Sequence, residues 1–128
     1  MSMSKQVDPN IAAKIDAIDL TNAKKRLMDP KSGRGWSQSK ADDVERKYKN
    51  FLKLISTGMR VCPTLDIDEM WHTCILDTKT YAKTCKEVFG YFIHHDPYLS
   101  DQDLKAIWKN SCEIYQKSFG ESYSSKTK

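Results

Sequence analysis

The residues between Ser39 and Gly58 constrain this chain most, because they fit only one kind of secondary structure. Val44, Tyr48, Phe51, Leu52 and Ile55 recur at the helical period and make a single apolar stripe. On the opposite side, Asp42 and Arg46, Asp43 and Lys47, and Glu45 and Lys49 lie four apart, acid before base. Each such pair adds ~0.2–0.5 kcal/mol to an isolated helix, so the charge run reads as a solvated face. Ser39-x-x-Asp42 has the form of a capping box and Gly58 supplies the stop. A stripe this well defined has to be buried against other helices.

The rest of the chain offers those helices. Asp8-Pro9 is a helix start, with a carboxylate at the cap and proline where its missing N–H costs nothing. Ile11, Ala12 and Ile15 follow at helical spacing. Between Asp16 and Met28 two readings stay open. Ile18 continues the first face, whereas Leu20, Ala23 and Leu27 suggest a second short helix capped near Thr21. Asp29 to Gly35 is a loop by composition.

Asp66-x-x-Glu69 opens a helix running to Leu76, and Asp77-Thr78 starts another that presents Tyr81, Ala82, Cys85, Val88 and Phe89 on one face. Gly90 ends it. Ser100-x-x-Asp103 caps a last helix with Leu104, Ile107, Trp108, Cys112, Tyr115 and Phe119 inside, stopped at Gly120. The expectation is an all-α fold, a compact bundle of five or six helices, forming a single domain over residues 1–128 with frayed ends at 1–7 and 121–128. A chain of 128 residues suffices for one hydrophobic core and is too short for two.

Hydrophobic content of 39% and charged content of 30% suit a folded soluble protein. No apolar run approaches the ~20 residues that a membrane span needs, and the first residues lack a signal-peptide core. The expected location is cytoplasmic, with no membrane partner. In that setting Cys62, Cys74, Cys85 and Cys112 read as reduced thiols. A net charge of +4 permits an acidic partner without demanding nucleic acid. Lys24, Lys25, Arg26, Lys31 and Arg34 form the most basic part of the chain and are the candidate residues for binding nucleic acid or another partner. Basic–aromatic alternation is missing around Trp71 and Trp108, which read as core. Gly33 and Gly35 lack the preceding strand and third glycine of a nucleotide fingerprint.

Candidate chemistry is concentrated between Pro63 and Pro97, which hold all three histidines of the chain. Asp68 and His72 lie four apart, so on a helix both point off one face. Cys74 sits roughly 200° around the helix from His72 and faces away. Cys85 lies on the inner face of the next helix, and His94 and His95 follow a helix stop that could return them over Asp68 and His72. Carboxylate, imidazole and thiolate together make a set that zinc accepts, which gives Asp68, His72, Cys85 and His95 as candidate metal ligands. Against this, no CxxC or HExxH is present. A structural polar cluster without metal is the competing reading, and a catalytic thiol the third. The inward face of Cys85 argues against catalysis, which needs the thiol exposed beside the imidazole.

Pro63-Thr64, Ile67-Asp68, Trp71-His72-Thr73 and Ile75-Leu76-Asp77-Thr78 are followed in order by Tyr81, Cys85, Phe89-Gly90 and His94-His95-x-Pro97. This order resembles the glycine-rich-domain-containing-protein-like family, over about half of the chain from Trp36 to Pro97. In that family the pattern usually reads Trp-His-x-His, where this chain has Cys74. Asp68, His72, Cys85 and His95 match it position by position. The resemblance implies a module and no reaction, and the glycine-rich tail of the plant proteins is missing from this chain. Functional expectations are therefore three. The first is a small intracellular interaction or regulatory protein whose Asp/His/Cys cluster is structural or binds a metal. The others are a metal-dependent enzyme using that cluster, and a basic protein docking on nucleic acid or a nucleic-acid-handling complex.

Overall fold

Helix α3 (Gln38–Ile55) is the axle of the fold. The structure, a computed structural model, describes residues 7–95 and 101–124. Val44, Tyr48, Phe51 and Leu52 are all buried along α3. Around it pack α1 (Pro9–Asp16), α2 (Thr21–Met28), α4 (Leu65–Leu76) and α6 (Asp101–Phe119), and α5 (Thr78–Phe89) folds back on α4 and reaches α1. With six helices and no strand among the described residues, the fold is all-α.

The ambiguity between Asp16 and Met28 resolves into two helices. Ile15, Leu20 and Leu27 are all buried, and a short break lets the two faces turn inward separately. Asp19 fixes the restart of the chain, accepting from the Thr21 backbone N–H at 2.9 Å and from its hydroxyl at 2.6 Å.

Two helix starts differ from expectation. The caps are Ser37, which accepts from the Lys40 N–H at 3.0 Å, and Thr64, which accepts from the Ile67 N–H at 3.1 Å. Both have extended backbones, so each lies just before the first helical residue. Ser39 and Asp66, the expected starts, are already inside α3 and α4, and neither Lys40 nor Ile67 completes a capping box. Asp8 and Asp77 cap α1 and α5 as expected. The Ser100 cap lies outside the described residues.

The charged face of α3 is less solvated than its pattern suggests. Glu45 and Lys49 pair at 3.2 Å as expected, but Arg46 pairs with Asp43 at 2.6 Å, and Asp42 turns to Lys24 at 2.7 Å. Lys24 also meets Glu45 at 2.7 Å and so stitches α2 to α3.

In the core the edge of one ring meets the face of the other between Phe51 and Trp71, with centroids 5.1 Å apart. Tyr48, Tyr81 and Val88 are buried as expected, and Ile55, Ile75, Phe89 and Trp108 lie partly buried against them. Ile107 is half-buried and Leu104 is exposed.

The chain beyond Gly120 was expected to fray, yet Tyr123 is only 2% exposed and stacks near Tyr115 and Trp108. Its hydroxyl donates to the Cys62 carbonyl at 2.7 Å, and the Cys62 N–H donates to Ser111 Oγ at 2.8 Å. The α3–α4 connection is thereby clamped against α6. All four cysteines are free thiols.

Candidate metal centre

Thr64 starts α4 so that Asp68 and His72 fall one turn apart on its outer side. Asp77 then turns the chain into α5, which ends at Gly90. Gly90 has φ of 82°, a left-handed conformation that a residue with a Cβ rarely adopts, and this reverses the chain. Residues 91–95 run back toward α4. Tyr81 holds them there: its hydroxyl accepts from Trp71 Nε1 at 2.9 Å and donates to the Ile93 carbonyl at 2.7 Å. Two residues later the His95 ring lies against Trp71, with centroids 4.4 Å apart.

The result is a cluster of three. His95 Nε2 lies 2.5 Å from Asp68 Oδ1, and His72 Nε2 lies 3.8 Å from Asp68 Oδ2, so the carboxylate gives one oxygen to each imidazole. The imidazole centroids are 4.7 Å apart, and one potential ligand atom from each residue falls within 4.8 Å of the others. A tetrahedral ion with bonds of ~2.0–2.1 Å needs donors about 3.3 Å apart. Small side-chain rotations would close the cluster onto one ion. Exposure is graded, with the His95 side chain at 19%, Asp68 at 32% and His72 at 57%, so the cluster opens toward solvent on the His72 side.

Three of the four expected ligands therefore converge and one does not. Cys85 is 1% exposed and sits on the inner face of α5, where it lines the floor of a cavity with Tyr48, Tyr81 and Cys74. The same apolar stripe that made it look available turns it into the core. Cys74 also lies on that side, away from His72 as its spacing implies, and burial pushes its thiol up to about 11. His94 stacks on Phe92 instead of joining the cluster. The thiol that senses Asp68 is Cys62, raised above its ordinary value first by burial and then by the Asp68 carboxylate. The two are only six residues apart, but no helical period relates them, and their approach depends on how Ser111 and Tyr123 clamp the α3–α4 connection.

The five basic candidates are likewise divided. Lys24 is engaged by Asp42 and Glu45, and Arg34 is hydrogen-bonded to Glu69 on α4. Lys25, Arg26 and Lys31 are exposed. For Lys24 the signal is the acidic run on α3, which the linear pattern assigns to partners within its own helix; for Arg34, paired with Glu69 of α4, no local pattern gives the partner.

Tyr81 should matter to the cluster through position alone. Tyr81→Phe leaves the Trp71 N–H and the Ile93 carbonyl without their partner, at a cost of ~1–3 kcal/mol for each buried group. The expected outcome is faster amide exchange across residues 91–95, with α1 unchanged, read by hydrogen exchange. Unchanged protection of that segment would show that the Tyr81 hydroxyl does not hold it.

Fold and cluster together define a small all-α domain with an Asp–His–His group on its surface. A family model described as UCP032817-like matches residues 13–118, most of the chain. The chain belongs to the UCP032817-like family. No curated protein and no solved structure shows significant similarity to it.

Proposed function

We propose that this chain is a small interaction or regulatory module, working inside the cell, whose Asp68–His72–His95 cluster binds one divalent transition-metal ion. The observation that carries the proposal is the convergence of one carboxylate and two imidazoles within 4.8 Å of one another. Two nitrogens and one oxygen form a donor set that zinc accepts, with a fourth position left for water or for a group from a partner. The exposure of the His72 ring leaves the solvent side as the one from which a fourth ligand would approach. Such placement favours a partner completing the site over a substrate held in a closed pocket. None of the three residues lines the cavity beside Cys85, which further favours a binding role over an enzymatic one.

A second reading is supported by the 2.5 Å contact between Asp68 and His95, which could hold residues 91–95 against α4 without an ion. Nucleic-acid docking through the basic residues has less support, since Lys24 and Arg34 are already engaged by acids of the same chain. The resemblance to the glycine-rich-domain-containing-protein-like family joins the metal proposal. Three of its four matched positions are the converging ones.

Titration of metal-free protein with zinc, followed by calorimetry, tests the proposal. One equivalent should bind and be removed by chelator, with affinity falling as pH is lowered because imidazole coordinates only when neutral. Absence of saturable binding would leave the cluster as a structural contact.

A further inference from the structure

A cavity of about 570 Å³ lies between α2, α3 and the α4–α5 hairpin, on the face opposite to His72. The cavity opens to solvent past the exposed Asp19, Arg26 and Asp77, and small-molecule sites commonly span ~300–1,000 Å³. We propose that this cavity binds an amphipathic organic anion, its apolar body inside and a carboxylate at Arg26.

The floor supports the apolar body. Tyr48 and Leu52 are 2% and 3% exposed, and both line the cavity. Tyr81 lines it too, but its hydroxyl is already committed to Trp71 and Ile93, so it offers its ring as a contact surface. No charged side chain is part of this floor. Burial raises the Tyr48 phenol well above its ordinary value, so it stays neutral.

The mouth supports the anionic head. Two acids and one base line it, yet they differ in what they already hold. Asp19 accepts from the Thr21 N–H and hydroxyl, and Asp77 accepts from the Thr80 N–H at 3.4 Å as the cap of α5. Arg26 is exposed, and its guanidinium has no hydrogen bond or ion pair among the described residues. A guanidinium presents five donors in a planar fork that matches a carboxylate. Asp19 lies in the field of Lys49 and Lys24, and Asp77 sits at the N-terminus of α5, so both acids are offset within the fold, while the open Arg26 guanidinium is left for a negative head. None of Asp68, His72 and His95 lines the cavity, so it is independent of any metal held by them.

The full-length chain should be titrated with decanoate, decanol and decylammonium, each below its micellar concentration, by calorimetry. Decanoate is expected to bind at one per chain and about tenfold or more tighter than decanol, with decylammonium weakest. Arg26→Ala should bring decanoate close to decanol and leave decanol unchanged. Ala23→Trp, which fills the cavity from its α2 wall, should abolish binding of all three. If that variant fails to fold, Thr84→Trp fills it from α5 to the same effect. Saturable binding by none of the three would overturn the proposal. So would decanol or decylammonium matching decanoate, or undiminished binding to the folded cavity-filled variant.

Discussion

Replacing Phe51 with alanine should lower the thermal midpoint of this protein by about 10–20 °C, because the loss of a fully buried ring costs ~3–5 kcal/mol. Phe51, in the C-terminal half of α3, is 0% exposed. It meets Trp71 edge to face at 5.1 Å and stacks near Tyr48 at 6.5 Å. Alanine removes the ring from between α3 and α4, and close packing leaves little freedom for either helix to collapse into the space. Domains of this size hold only about 5–15 kcal/mol of net stability, so the loss is a large fraction of the total. Leu65→Ala is the matching control, since Leu65 is 87% exposed and its truncation should move the midpoint little. Calorimetric melting of both variants checks the prediction. A Phe51→Ala midpoint within 2–3 °C of the parent, under about 1 kcal/mol, would mean the ring is not in the core.

The second large effect concerns Asp68, which alone touches both histidines. Asp68→Ala should weaken zinc binding by about a hundredfold or more, since loss even of an outer-shell partner costs 10–100-fold. Asp68→Asn separates charge from shape. The amide keeps a hydrogen-bonding atom near His95 Nε2 but lacks the anionic oxygens that the ion requires, so stability should be nearly retained while zinc affinity falls. Cys85→Ser should leave affinity unchanged, because that thiol faces the cavity. Zinc titrations of the three variants read the affinities, and thermal melting of metal-free Asp68→Asn reads its stability. Wild-type affinity in Asp68→Ala would remove the carboxylate from the site.

Much of the architecture is legible in the sequence because it depends on local rules. Periodicity exposes α3, and Asp8, Asp77, Gly90 and Gly120 mark ends that the backbone observes. The i, i+4 spacing of Asp68 and His72 places them on one face without any knowledge of the fold. What was not legible depends on contacts distant in sequence. Tyr123 lies in a polar tail by sequence, and its burial depends on the rings of Tyr115 and Trp108 and on the Cys62 carbonyl, 61 residues away. Cys85 looked like a ligand because its stripe faces inward, but inward there means toward Tyr48 and Tyr81 and not toward Asp68. The return of His95 needed Tyr81 to bridge Trp71 and Ile93, a bridge no periodic pattern encodes.

X-ray absorption at the zinc edge, measured on the zinc-loaded protein, tests the central claim most directly. The Asp68–His72–His95 site predicts a first shell of nitrogen and oxygen at ~2.0–2.1 Å, outer-shell scattering from two imidazoles, and no sulfur. A sulfur shell near ~2.3 Å would contradict it, by bringing a cysteine back into the coordination sphere.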